Sequence, residues 1–465
     1  MSENQTILNF SILETPEKVS NPLFPRILPL YDNAVVSFIE IEGQRSEDIS
    51  KGTTRISAYT FGLAHFFRRN FGAAAKAFEE ALTAVSYDKD DNYHYLIYFY
   101  YGLALQRLDR LEDANDQIQK AIDIHPEDPA PWLARAFGNR ALDRLEVAQQ
   151  DAEIAFDLCS DRIQLEPEDY VAYYDRAHAS EILEDWDAAR FDLEAVTEKA
   201  PDLFIGYISL ARAQIKLNRL EEALQSSQTA IKLAESVNEN PAWAYLYLGH
   251  TYDLLGDADN ARLSFHTAIM KGSEVDYLHY RYGQFLENTG DPDDLLAAEE
   301  EYQANVTLNS NKALAYSILA EFYARHNRFE EAIVEYRFAL QYDQNSVNLW
   351  VGLANVYSQL DRKDEALDAY KRALEFEPEN FYAQASFGNF LLKQGELESA
   401  IKQYEVARGL DPENCGLYLN LGLAYELLGD KEQAETFYRL AFSSDPQQYT
   451  ECQAEAARRL TNFVK

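Results

Sequence analysis

The chain is poor in the features that mark several large classes of protein. Only three cysteines occur in 465 residues, Cys159, Cys415 and Cys452, far apart and with no CxxC pair. That spacing argues against a disulfide framework, a zinc site or a thioredoxin-like motif, and the expectation is three reduced, structural thiols. Positive charge is scarce as well: 42 Lys+Arg stand against 78 Asp+Glu, a net −36. Nothing here would neutralise phosphates in number, so nucleic acid is not expected as a partner. No apolar run approaches the roughly 18 residues of a membrane span, and the first residues lack a basic start followed by an apolar stretch. With no basic amphipathic helix to offset the repulsion of anionic lipid, no membrane partner is expected, and a cytoplasmic location is.

Catalytic signatures are missing too. The eight histidines are scattered, without HExxH or HxH, and GxSxG, P-loop and GxGxxG motifs do not occur. Acidic runs such as Glu299 to Glu301 read as solvated helix faces, and Asp88 to Asp91 lacks the Gly and terminal Glu of a calcium loop. The expectation is no enzyme, no cofactor and no metal.

What the chain does have is 31 Tyr and 25 Phe beside 4 Trp and 2 Met, as if one medium-sized aromatic slot were used many times. Aligned on itself from the C-terminus, it repeats every 34 residues, most clearly in CGLYLNLGLAYELLGDKEQAETFYRLAFSSDP. Tyr418, Leu421, Gly422 and Tyr425 fall on one helical face, and Ala434, Tyr438 and Ala441 on another. Gly429-Asp430 lies between them and Pro446 after them, which reads as helix, turn, helix. Small residues at 422 and 434 let two helix axes approach while aromatics fill the groove beside them.

The same marks return as Gly388, Ala400, Tyr404 and Ala407, then Ala354, Tyr357, Ala366 and Tyr370, then Ala320, Tyr323, Ala332 and Tyr336. Fainter copies centre on Gly283, Gly249, Ala211, Ala177, Ala136, Gly102 and Gly62, making eleven with starts near 55, 95, 129, 170, 204, 242, 276, 313, 347, 381 and 415. The copy near Ala136 carries Arg135 where Leu is usual, and in the copy near Gly283 the second helix slips to Ala298 and Tyr302. Extra residues enlarge the first, third, fifth and seventh copies; seven added after Phe156 amount to about two helical turns and would simply lengthen that helix.

These residues resemble the tetratricopeptide repeat family, over about residues 54–448. The resemblance implies an all-α, right-handed superhelix whose first helices line a concave groove for protein or peptide segments. The expected organisation is an irregular arm over 1–52, seven repeats with insertions over 53–312, four regular repeats over 313–448, and a capping helix over 449–465. The cap closes an apolar end that the last repeat would otherwise leave open.

Read by register, the groove changes character along its length. In the first three repeats it is oily, with Tyr59, Leu63, Phe66, Phe67, Phe99, Leu103 and Phe137. Such a face needs a cover. Either the arm supplies it through Leu23, Phe24, Ile27, Leu28, Leu30 and Tyr31, or a partner does. The centre alternates aromatic and polar groups: Tyr174, His178, Arg212, Trp243, His250, Tyr277 and Tyr280. Both histidines are expected to be solvated. Further on, Asn355, Asn389 and Lys393 are candidates for holding a peptide backbone, as Asn does at this place in the family. The family's carboxylate clamp would need Lys where this chain has Val351 and Ala385. The functional expectation is a non-enzymatic scaffold or adaptor for partners with basic surfaces. The alternative is a regulatory subunit docked permanently on a separately encoded transferase or protease.

Overall fold

A computed structural model describes residues 55–68, 70–83, 91–142, 144–272, 275–309, 311–443 and 450–463. The expected arm, with its apolar residues from Leu23 to Tyr31, lies outside them. The described residues form twenty-three helices and no strand. Eleven consecutive pairs are α1 Arg55–Phe67 with α2 Phe71–Thr83, α3 Asp91–Arg107 with α4 Leu111–Ile124, α5 Pro129–Ala141 with α6 Leu145–Leu165, α7 Tyr170–Ile182 with α8 Trp186–Lys199, α9 Phe204–Lys216 with α10 Leu220–Ser236, α11 Ala242–Leu254 with α12 Ala258–Gly272, α13 Asp276–Thr289 with α14 Pro292–Leu308, α15 Lys312–Arg325 with α16 Phe329–Tyr342, α17 Val347–Gln359 with α18 Lys363–Phe376, α19 Phe381–Gln394 with α20 Leu397–Leu410, and α21 Cys415–Leu428 with α22 Lys431–Phe442. A last helix, α23 Thr450–Phe463, follows.

The turns explain why each pair folds back on itself. Between the two helices of a pair, one residue takes the left-handed region: Asp109, Glu184, Asn218, Gly256, Gly290, Asn327, Asp361, Gly395 and Gly429. Gly, Asn and Asp tolerate that region at least cost and fill eight of these nine positions, Glu184 being the exception. Side-chain caps then start the next first helix: Asn311, Ser346, Asn380 and Asn414 each accept from the backbone N–H three residues on.

Within a pair, the small residue of the first helix lets a large residue of the second come close. A Cβ on Gly388 would stand 2.5 Å from the Tyr404 ring, and one on Gly422 2.6 Å from that of Tyr438. The slipped copy obeys the same rule, Gly283 facing Tyr302. The slot for the large residue holds Phe78, Ile118, Leu193, Phe265, Tyr302, Tyr336, Tyr370, Tyr404 and Tyr438, all buried. Ala434, one turn before Tyr438 on the same helix, is fully buried in the same core. Ala434→Leu is expected to cost about 1–3 kcal/mol through overpacking, read as a lower urea midpoint.

The faint third copy has its own explanation. Arg135 makes a two-pronged pair with Asp151 at 2.5 and 2.9 Å, and Arg176 does the same with Asp192 at 2.7 and 2.9 Å in the next repeat. Both arginines stand where Leu is usual and both aspartates are buried, so two adjacent repeats exchange an apolar contact for a charged one of fixed geometry. The residues added after Phe156 lengthen α6 to 21 residues, as expected from their number.

Helix contacts divide the chain into two units, one holding the described residues up to Asn309 and the other those from Asn311. In each unit, successive first helices touch one another, as α1 with α3, α5 with α7, α9 with α11, and α17 with α19, whereas successive second helices meet at most marginally. The first helices are therefore the inner layer and the second helices the outer. Among the described residues no helix is long and apolar enough to cross a membrane.

The C-terminus departs from expectation. Cys415 and Cys452 form a disulfide, with Cα atoms 6.2 Å apart, while Cys159 is a buried thiol outside that bridge. Their separation of 37 residues hid the pairing. α23 folds back over the last repeat and carries Cys452 to the first residue of α21. Ala456 is fully buried there, and Arg459 joins Glu426 at 3.2 Å and Glu455 at 2.8 Å.

Candidate functional site

The residue directly after the small residue of each first helix marks the inner face. In chain order these are Leu63, Leu103, Phe137, His178, Arg212, His250, Gln284, Glu321, Asn355, Asn389 and Leu423. The register runs from apolar, through cationic and imidazole, to polar, and returns to apolar at the end.

In α1 to α5, Tyr59, Leu63, Phe66, Phe99 and Leu103 are buried, and Phe67 and Phe137 are partly buried. Phe66 is the hub: edge-to-face contacts join it to Phe67, Phe71 and Tyr100 at 5.5–5.7 Å. These aromatics thus tie two successive repeats together as well as lining the inner layer.

The centre is a buried polar cluster. His178 has no exposed surface; its Nδ1 lies 2.8 Å from Glu181 Oε2, and its ring packs edge-on to Tyr174 at 4.6 Å. Arg212, from the next first helix, donates to the same Glu181 oxygen and approaches His178 Nδ1. Burial alone would raise the Glu181 carboxyl, but Arg212 and then His178 outweigh it and hold it down to about 2. The same pairing keeps the Arg212 guanidinium above its ordinary value against the pull of burial. Tyr174 Oη and Ser209 Oγ lie 3.3 Å apart. The expectation of a solvated His178 is therefore corrected: the curvature of the inner layer brings position 212 against 178 and 181 and excludes water.

His250, by contrast, keeps part of its surface exposed. Burial first, then Arg281 and Lys216 nearby, depress its imidazole to about 3, so it is neutral at pH 7. Beside it, Trp243 stacks on Tyr277 at 5.7 Å and Tyr277 meets Tyr280 at 6.1 Å. Trp243 and Tyr277 are half-buried and Tyr280 is buried, its hydroxyl accepting from Gln284. Six of the seven central residues thus form two groups on neighbouring first helices: a charged cluster on α7 and α9 with Tyr174, His178 and Arg212, and an aromatic corridor on α11 and α13 with Trp243, Tyr277 and Tyr280.

In the C-terminal unit, Asn355 and Asn389 recur 34 residues apart, and each takes a tyrosine hydroxyl from the second helix of its own pair. Tyr370 donates to Asn355 Oδ1 at 2.5 Å and Tyr404 to Asn389 Oδ1 at 2.7 Å. Asn420 donates to Asn389 Oδ1 at 2.9 Å, and Asn355 Nδ2 donates to Tyr382 Oη at 3.4 Å. Lys393 Nζ donates to the Ser358 carbonyl at 2.9 Å, bridging successive first helices. The polar track is on the inner layer, but much of its bonding capacity fixes one repeat to the next. Among the described residues no cluster of His, Cys, Asp and Glu is arranged to hold a metal.

Eleven consecutive helix pairs, a small residue of the first helix against a large side chain of the second in most of them, and an inner layer of first helices decide the family, and sequence profiles agree. Tetratricopeptide repeat profiles match residues 59–129, 206–237, 347–380 and 416–448, and a TPR repeat profile matches 388–429. The chain is a tetratricopeptide repeat protein. One relative, small glutamine-rich tetratricopeptide repeat-containing protein 2 of Saccharomyces cerevisiae, is 29% identical over 108 residues, which is 23% of this chain and 31% of that protein. The tetratricopeptide match therefore spans under a third of that relative's length. The crystal structure of yeast Tom70 is similar at a TM-score of 0.47 with 15% identity, over 88% of this chain and 95% of that one. YrrB, described as a TPR protein with an unusual peptide-binding site, is similar at 0.31 with 24% identity, over 42% of this chain and 98% of that one. Neither superposition is close enough to carry a functional argument.

Proposed function

We propose that this chain is a non-enzymatic scaffold that holds segments of protein partners along the inner layer of its first helices and so assembles complexes. One observation carries the reading. From Leu63 to Gln284 the inner register of seven consecutive repeats holds apolar, cationic, imidazole or amide groups, in a chain whose net charge is −36. Acid is thus kept off that register while it covers turns and outer helices. Half-buried Trp243 and Tyr277 offer rigid, amphipathic contact area at low entropy cost, the kind of surface that dominates binding energy in interfaces. The acidic exterior steers basic partner surfaces toward the molecule.

The test compares three full-length baits by quantitative mass spectrometry: the natural chain, an inner variant carrying Trp243→Ala and Tyr277→Ala, and an outer variant, Leu263→Ser, at a position 63% exposed. Proteins lost with the inner variant and retained with the outer one support the proposal. Unchanged recovery with the inner variant sinks it. Washing at about 500 mM salt, where the screening length is about 4 Å, separates partners held by steering from those held by apolar contact.

A further inference from the structure

The inner register of α1 to α5 is apolar, Leu63, Leu103 and Phe137, where the equivalent positions of α15, α17 and α19 are Glu321, Asn355 and Asn389. One scaffold therefore carries two kinds of inner layer, and the apolar one adjoins the residue, Arg55, at which the described chain begins. We infer that the occupant of this apolar inner layer is the chain's own segment 16–31, PEKVSNPLFPRILPLY, bound as an extended, proline-stiffened strand. The inference rests on the inner layer being a binding surface, as proposed above, and names its resident ligand.

Three arguments select this occupant. The first is conformational. Prolines at 16, 22, 25 and 29 bar a helix and favour the polyproline II form, which has three residues per turn and no internal hydrogen bonds. In that form Pro22, Pro25, Leu28 and Tyr31 share one edge and Phe24, Ile27 and Leu30 a second, so two of three edges are apolar. Aromatic-lined grooves recognise such segments because little ordering entropy remains to be lost.

The second argument is reach. Residues 32–54 join the segment to α1, and 23 residues span up to about 75–80 Å when extended. Inner helices about 10 Å apart place α7 within about 30–40 Å of α1, so the tether reaches the whole apolar stretch and the Tyr174 cluster beyond it. A tether of this length holds its ligand at an effective concentration that a free partner must exceed. The third is charge. The segment carries Lys18 and Arg26 against Glu17, a small positive balance in a strongly acidic chain. The arm is then a competitor: a partner gains the apolar inner layer only by displacing it, while the corridor around Trp243 and Tyr277 lies past the segment's own edge contacts.

The experiment uses the full chain with benzoylphenylalanine in place of Phe24, photo-crosslinked at low protein concentration and mapped by peptide mass spectrometry. Crosslinks within one chain to α1, α3, α5 or α7 are expected. Substituting Ile27→Ser and Leu30→Ser in the same chain should lower their yield about tenfold or more, the factor for each 1.4 kcal/mol of lost binding. The arm variants leave the repeats untouched, so folding does not confound the result. Crosslinks confined to outer helices, crosslinks between chains, or a yield indifferent to Ile27 and Leu30 would overturn the inference. The bait comparison above reads the inner-layer proposal separately, through Trp243 and Tyr277, whatever the arm does.

Discussion

Arg212→Ala is expected to destabilise the N-terminal unit by about 3–5 kcal/mol at pH 7, because it leaves the buried Glu181 carboxylate without the guanidinium that compensates it. Glu181 is 3% exposed, so water cannot take the place of the lost partner. His178, 2.8 Å away, remains as a second contact and keeps the loss at the lower part of that range. Replacing both members with apolar residues of similar size, Arg212→Met with Glu181→Leu, should recover most of the loss, since no charge then stays buried. The pH dependence has a definite sign. In the natural chain the Glu181 carboxyl is held down at about 2 against an ordinary 4.5, so the pair's contribution is complete above 4.5 and fades as pH falls toward 2. In Arg212→Ala, burial is unopposed by the guanidinium and Glu181 protonates earlier. The deficit measured by urea denaturation should therefore shrink between pH 7 and pH 4. A deficit under about 1 kcal/mol, the scale of an exposed pair, or one unchanged over that range, would mean that water reaches the cluster.

Most of the fold was legible because each repeat states its contacts twice. A small residue and an aromatic sixteen positions later, as Gly422 and Tyr438 or Gly388 and Tyr404, are both local and recurrent, so register alone pairs them. Register also put Tyr174, His178, Arg212, Asn355 and Asn389 on first helices. It could not say what those side chains touch, because the partner lies on the neighbouring repeat and the answer depends on curvature. His178 therefore looked solvated when Arg212 and Glu181 enclose it, and the Asn355 and Asn389 carbonyls looked available when Tyr370 and Tyr404 donate to them. The Arg135–Asp151 and Arg176–Asp192 pairs did leave a sequence signal, an Arg in the Leu slot followed by Asp sixteen residues later in two adjacent repeats. Taken singly, Arg135 read only as a weak copy.

Breaking the Cys415–Cys452 bond, by Cys415→Ser or by a dithiol reductant, is expected to cost about 3–4 kcal/mol. That is the loop-closure value for a bridge spanning 37 residues. Loss on this scale has a particular route in a repeat protein, where each element is held chiefly by its neighbours. α23 has the last pair on one side only, and its docking rests on Cys452, Ala456 and the Arg459–Glu426–Tyr438 chain, in which Tyr438 donates to Glu426 at 2.6 Å. Without the bridge, α23 should undock before the rest of its unit unfolds, exposing the fully buried Cys415 and Ala441 side. Hydrogen exchange over 450–463 should then rise well ahead of exchange in α21, and the melting temperature should fall by several degrees, at about 2–4 °C per kcal/mol for a unit this size. Cys159→Ser should leave both readouts in place, since that thiol takes no part in the bridge and lies in the other unit. If alkylation of the purified, unreduced chain under denaturing conditions labels three cysteines instead of one, the cap is held by packing and the Arg459 network alone. In that case the cost of Cys415→Ser drops to that of trimming one buried sulfur, and exchange in α23 and α21 rises together.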